Sequence, residues 1–510
     1  MLPIYHFVTS PVSGWTGHDR PPKRFATAVG VAVGLGMAVG ILATWFPPFW
    51  VLVALAALPF GILALKRSEF ALLGILLATS SIVYEELLPV ISTPIGSLHI
   101  TDVLLLALLG LIIIRRMLKP ELNIIRTPLD WPLLAFYGVT LLSTFVAIHG
   151  SSVEVEMARR AIRVVTYYLT FFIVTNLVRE DHQLHFLVRG MLILATVVAA
   201  AMVAQFLLGE SLHLFPGRVE SLQTQGVSYV DITRILPPGQ SIVVVAFITI
   251  TVILVLEGRR PLNILVFLQW GLLGLAVLLS FTRTFWVQAG LAILFLTFLV
   301  SGRGMVKLMT RSLVVLLFAA PLLLFVFDNR DSRFAGLITA SYERLATLGS
   351  SKTVGEDSLQ WRYVENEYVL PQILSHPLLG LGLGARYRPF DWRIDRIDYH
   401  ARGWDPRRYI HNAHFWIIMM AGPLAYLCLV WLSVVFLLRG FKYWRLIPDL
   451  RMRGYVLSFS LIYLGVLLGA IVSPMFMQWY WTPVIGILMG VNEGVIGKAI
   501  RASKGKEGKV

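Results

Sequence analysis

His411 closes a polar stretch that runs from Asn329 to Ile410, and it stands at the lip of the apolar run that follows. An unperturbed imidazole exchanges its proton at about pH 6.5, so a histidine delivered to that boundary can serve as a general base. The stretch itself carries eleven arginines against one lysine, with eleven aromatic residues that include Trp361, Trp392 and Trp404. Guanidinium groups grip phosphate through paired N–H donors, and aromatic faces stack on sugar rings, so this composition suits phosphate and sugar better than lipid. Within it, residues 358–370 read as an amphipathic helix, with Arg362 on its polar edge three residues before Glu365.

Outside the stretch, single arginines stand where apolar runs begin or end. Arg283 lies in Ser280-Phe281-Thr282-Arg283-Thr284-Phe285-Trp286, a connection so short that its guanidinium must sit at or just inside a membrane boundary. A charge well inside a helix costs at least about 2.5–3.5 kcal/mol, so an arginine there implies an anion or a wet cavity. Arg234 just precedes another apolar run. Arg159, Arg160 and Arg163 open a third, where Arg159 and Arg163 share a face that can hold an anion or anchor the helix through Glu154 or Glu156.

These residues require a scaffold, and composition names its class. With 57% hydrophobic and only 14% charged residues, a soluble chain would expose more apolar surface than it could bury, so the reading is an all-α polytopic membrane protein. The net charge of +15 is spread in short clusters and forms no stripe for nucleic acid. One cysteine, Cys428, permits no intrachain disulfide. Apolar runs place spans at 25–46, 48–65, 70–90, 101–118, 129–149, 158–178, 185–208, 239–256, 262–280, 284–301, 311–328, 413–438, 455–473 and 477–495, about 12–14 in all. The first is a span and not a cleaved signal peptide.

With a cytoplasmic N-terminus and strict alternation, 26 Lys and Arg fall on the cytoplasmic side, six on short outer segments and twelve in the long loop. This is the positive-inside bias, and it puts both termini in the cytoplasm and the loop on the opposite face, which in a bacterial cell is the periplasmic one. The expected organisation is a transmembrane bundle of about eleven helices over 1–328, a large periplasmic loop over 329–411, and C-terminal helices with a basic tail over 412–510. The run Gly380-Leu381-Gly382-Leu383-Gly384 lacks the βαβ context of a dinucleotide site and reads as a tight turn where loop backbone approaches the bilayer or a lipid head group.

The Ser-x-x-Arg-x-x-Trp pattern of Ser280, Arg283 and Trp286, the segment Ser375 to Gly384, and His411-Asn412 followed by nine residues and Gly422 together resemble the O-antigen ligase and O-antigen polymerase superfamily. Departures are Ala425 where the family has a second glycine and Asn366 where it has leucine four residues after its loop arginine. The resemblance implies an integral-membrane, metal-independent inverting glycosyltransferase without cofactor. Its donor would be an undecaprenyl-pyrophosphate-linked glycan and its acceptor the lipid A core, or a second lipid-linked glycan in a polymerase. His411 and Arg283 would be catalytic, and Arg283, Arg362, Arg234 and Arg163 would hold the pyrophosphate. A lipid-linked oligosaccharide flippase is the rival from another class, but it should show two similar halves, and here the charges concentrate in the second half.

Overall fold

The computed structural model describes residues 67–118, 123–209, 218–257, 263–310, 357–395 and 405–507, with a few isolated positions missing or added. The chain divides into two compact units, 1–66 and 67–510, and nearly all described residues belong to the second. The spans expected at 25–46, 48–65 and 311–328, most of 329–356 and Trp404 lie outside the described residues.

The second unit is helical. Its helices are α1 (Ser68–Thr79), α2 (Ile100–Leu118), α3 (Asp130–His149), α4 (Val155–Thr166), α5 (Thr170–Leu177), α6 (Asp181–Leu208), α7 (Gln240–Leu256), α8 (Ile264–Leu279), α9 (Arg283–Leu299), α10 (Asp357–Ser375), α11 (Ala413–Tyr443), α12 (Leu450–Gly469) and α13 (Thr482–Glu507). Among the described residues, α3, α6, α11, α12 and α13 are long and apolar enough to cross a membrane, and α1, α7, α8 and α9 are shorter apolar helices. The protein is thus an all-α polytopic membrane protein, apart from two small antiparallel hairpins, β1–β2 (Val90–Thr93, Gly96–His99) and β3–β4 (Arg218–Thr224, Val227–Leu236).

Two of the apolar runs are not continuous helices. The run at 70–90 is helical only to Thr79, because hydroxyls there compete for helix carbonyls: Thr79 Oγ1 donates to Ile75 at 2.8 Å, and Ser80 Oγ donates away to the Tyr480 carbonyl at 2.9 Å. The run at 158–178 is split by a 3₁₀ turn at Tyr167–Leu169, where Thr170 Oγ1 donates to the carbonyls of Tyr167 and Pro483.

Two helices form the centre. About three quarters of the apolar windows of α12 and α13 is buried, 78% and 72%, against 39% for α3, α6 and α11. Small residues permit this, since lipid offers little drive to bring helices together and close backbone approach must supply it. Gly465 and Gly469 of α12 lie against Gln288 of α9, and Gly454 lies against Ile253 of α7. Polar starts then fix the ends: Asp449 accepts from Met452 N–H at 2.8 Å at the head of α12, and Glu180 and Gln183 form a reciprocal capping box on α6.

Candidate functional site

Two helix starts meet at the last turn of α12. The first belongs to α9. In the connection before it, Ser280 Oγ accepts from Thr282 N–H at 3.2 Å, Thr282 Oγ1 donates to the Ser280 carbonyl at 3.1 Å, and Trp286 Nε1–H donates to the Val277 carbonyl at 3.0 Å. Phe281, fully buried, takes φ 47°, a left-handed conformation that costs a non-glycine residue of order 1–3 kcal/mol and so marks a turn held by its surroundings. The outer residues of the Ser-x-x-Arg-x-x-Trp pattern therefore lock a turn, and the arginine is what the turn delivers. Thr284 and Gln288, next along α9, pack on Gly469, and the Nε of Arg283 is buried. Arg234, at the end of β4, reaches back toward this turn, with Nε 3.5 Å from the Ser280 carbonyl.

The second start belongs to α11. Asn412 caps it by accepting from His414 N–H at 3.0 Å and Phe415 N–H at 3.1 Å. Ala413 N–H donates to the Ala470 carbonyl at 2.8 Å, and His414 Nε2 donates to the Leu467 carbonyl at 2.9 Å. His411 and Arg283 thus hang from two elements seated on the same few residues, Leu467 to Ala470.

A break in α11 makes that seating possible. Gly422 has φ 89° and ψ 161°, and Pro423 begins a fresh helix there. His414 Nδ1 accepts from the Tyr426 hydroxyl at 3.2 Å; residues twelve apart in a straight helix are about 18 Å apart along the axis, so the two halves of α11 cannot be collinear. The glycine run fills the break. Pro423 has no N–H for the Met419 carbonyl, which accepts from Leu381 N–H at 2.9 Å, while the Met420 carbonyl accepts from Gly382 N–H at 2.8 Å and from Ser143 Oγ at 3.1 Å. Gly380, Gly382 and Gly384 all have positive φ, and a Cβ on any of them would collide with α11, with Ala147 of α3 or with Met157 of α4. The expected tight turn is there, but what its backbone approaches is protein and not lipid.

The loop helix α10 completes the arrangement. Its Glu365 is buried and reaches His411 twice, accepting from the backbone N–H at 3.0 Å and lying 3.0 and 3.1 Å from Nδ1. Trp361, one turn earlier, meets the imidazole edge-on at 6.1 Å, and Tyr409 does so at 5.0 Å. Tyr409 is close enough to Arg362 and Glu365 to feel both charges; burial foremost, then Tyr480, pushes its hydroxyl up, so it stays protonated. From spacing alone, Glu365 offers no more than a local i,i+3 partner for Arg362. Its contact with His411 spans 46 positions, and no local spacing rule reaches that far.

Other sequence candidates sit elsewhere. Arg163 lies among Asp102, at 2.7 Å, Glu85, the Tyr167 hydroxyl and Thr101, a cluster that ties α4 to the head of α2. Arg159 and Arg160 both pair with Glu156, as an anchoring role requires. The abundance of loop arginine also needs correction as a sign of phosphate binding. Arg388 forms a buried pair with Asp395, Arg393 pairs with Asp391 and Glu367, and Arg386, Arg407 and Arg408 converge on Asp405. Among the described loop residues these arginines hold the loop together, and Trp392, 84% exposed, faces away from that framework.

Residues 268–430 match the family described as O-antigen ligase. No curated protein matches the chain. The matched segment runs from α8 through Arg283, Arg362, Glu365 and His411 to the second half of α11, so both helix starts lie inside the part of the chain that is similar to the O-antigen ligase family.

Proposed function

We propose that the protein transfers a glycan from undecaprenyl pyrophosphate to a sugar hydroxyl of the lipid A core at the periplasmic face of a bacterial inner membrane. The observation that carries this reading is the meeting, on Leu467–Ala470, of the α9 and α11 starts, both of them inside the matched segment, which brings an arginine and a histidine to one end of the bundle. In the reaction, His411 takes the proton of the acceptor hydroxyl as its oxygen attacks the anomeric carbon from the face opposite the pyrophosphate. The bond from that carbon to the pyrophosphate oxygen breaks, the configuration inverts, and undecaprenyl pyrophosphate leaves with the bonding electrons. Arg283, with Arg362 and Arg234, holds the pyrophosphate and stabilises the charge it gains; guanidinium geometry suits phosphate oxygens. Arg163, already between Asp102 and Glu85, contributes from farther out, as part of the frame beneath the donor.

Membrane orientation supports the assignment of face. The 26 basic residues of the short inner segments leave the His411 end as the outer one, where nucleotide sugars are absent and a lipid-activated donor is needed.

The test is reconstitution in liposomes with an undecaprenyl-pyrophosphate glycan and lipid A core. Transfer by the wild type should fall roughly 10²–10⁴-fold in His411→Ala, the range that general-base assistance supplies, and at least as far in Arg283→Ala. Undiminished transfer by both variants would sink the mechanism. Product formed only when a second lipid-linked glycan replaces lipid A core would make the enzyme a polymerase.

A further inference from the structure

Glu365 is the one carboxylate in contact with His411 among the described residues, and its position is unusual for an acid on a polar loop helix. Its side chain is 1% exposed, although α10 carries exposed Tyr363 and Leu370 on other faces. Burying a carboxylate is costly unless its oxygens are satisfied, and here the described donors are both from His411, the backbone N–H and Nδ1. A carboxylate can accept only from a protonated nitrogen, so this contact selects the tautomer with hydrogen on Nδ1. The acceptor lone pair is then on Nε2, to which no described residue makes a hydrogen bond.

We infer that Glu365 is the positioning residue of the reaction, holding His411 in the tautomer and orientation in which Nε2 can take the acceptor's proton. The inference rests on the transfer reaction proposed above. During transfer the hydroxyl proton moves to Nε2, Nδ1–H stays bonded to Glu365, and the imidazolium so formed is stabilised by the adjacent negative charge until Nε2 returns its proton to water. Fixing both the backbone and the ring of one residue from a single side chain leaves His411 no rotation that keeps both bonds. The groups around the ring are consistent with this division of labour. Arg362 is one helical turn from Glu365 on α10, Tyr409 and Trp361 wall the imidazole edge-on, and Tyr480 stands beyond Tyr409. A carboxylate that orients the base and a guanidinium assigned to the donor therefore share one turn of one loop helix. Undocking α10 would remove both at once.

Two substitutions separate positioning from packing. Glu365→Gln keeps the shape and an oxygen for Nδ1–H but removes the charge; Glu365→Ala removes both. We expect kcat to fall about tenfold or more in Glu365→Gln and further in Glu365→Ala, within the 10²–10⁴-fold that the base itself contributes, with KM for the lipid donor little changed. Because the negative charge favours the imidazolium, its loss should move the acid limb of the pH–rate profile to lower pH in Glu365→Gln, a shift that a structural role would not cause. Glu365→Asp, with its shorter reach, should recover part of the rate and return the limb toward the wild-type position. Wild-type kcat and an unmoved limb in Glu365→Gln, with His411→Ala inactive, would overturn this inference alone. Full transfer by His411→Ala would instead remove the reading on which it rests.

Discussion

The loop frame at residues 386–395 and 405–408 and the hinge at Glu365–His411 use acidic side chains for opposite ends. In the frame each acid meets arginine: Asp395 is closed off with Arg388, Asp391 with Arg393, and Asp405 with three guanidiniums. Arginine keeps its charge at every pH a protein survives, so such pairs can only hold. At the hinge the acid meets histidine, a side chain that can both hold and release a proton, and the pair can therefore take part in a proton transfer. The lesson is that a polar loop is read by partners and not by counts. Eleven arginines suggested a phosphate-binding surface, yet the described arginines at 386, 388, 393, 407 and 408 build the platform, and the chemistry falls to a neighbour of one that lies outside it.

The sharpest way to break the contrast is at Arg388. Its pair with Asp395 is 0% and 1% exposed, and deleting one partner of a buried pair strands the other charge, at a cost of about 3–5 kcal/mol. Arg388→Ala should lower the thermal midpoint markedly in detergent while leaving kcat per folded molecule near normal; a stable variant with a lost kcat would show that the frame takes part in the chemistry. A smaller effect is expected where frame and hinge are joined. Gly422→Ala must hold φ near +89° and place a Cβ against the Leu378 carbonyl, so about 1–3 kcal/mol should be lost, seen as easier proteolysis of the 376–385 segment together with slower transfer. Retained resistance with wild-type transfer would mean that the break in α11 is not what seats His411.

The mildest test is pH. Hydrogen bonds from Arg393 hold the Asp391 carboxyl down to about 2, below its ordinary value. A carboxyl whose pKa is depressed by folding contributes its stability fully above its unfolded value of about 3.9 and loses it as pH falls through the folded one. Between pH 7 and 5 the Asp391 link should therefore not weaken, and protease sensitivity of the loop should stay flat while transfer declines reversibly. A loop that loosens in step with activity over that interval would erase the distinction between the two regions.

Much of this was legible from residues alone, for local reasons. Apolar runs became helices with ends close to those expected, as at 101–118 and 239–256, because a backbone in lipid must satisfy its own hydrogen bonds. Asn412 caps α11, Gly422-Pro423 breaks it, and Ser280 and Trp286 shape one turn; each acts within a few residues of itself. Hydropathy missed the hairpins because Val90–Thr93 and Gly96–His99 are short and lie beside an apolar helix whose hydrophobicity they share.

The sequence by itself determined the membrane class, many of the helix ends and the identity of the residues fit for phosphate and proton chemistry. Only the tertiary structure decided their partners: Glu365 with His411, Arg163 with Asp102 and Glu85, and the loop arginines with one another's acids. The reason is range. Hydrogen bonding and hydrophobicity act on neighbours and leave a periodic trace, whereas a charge takes the nearest opposite charge in space, and that is known only once α10, α11 and α12 have packed.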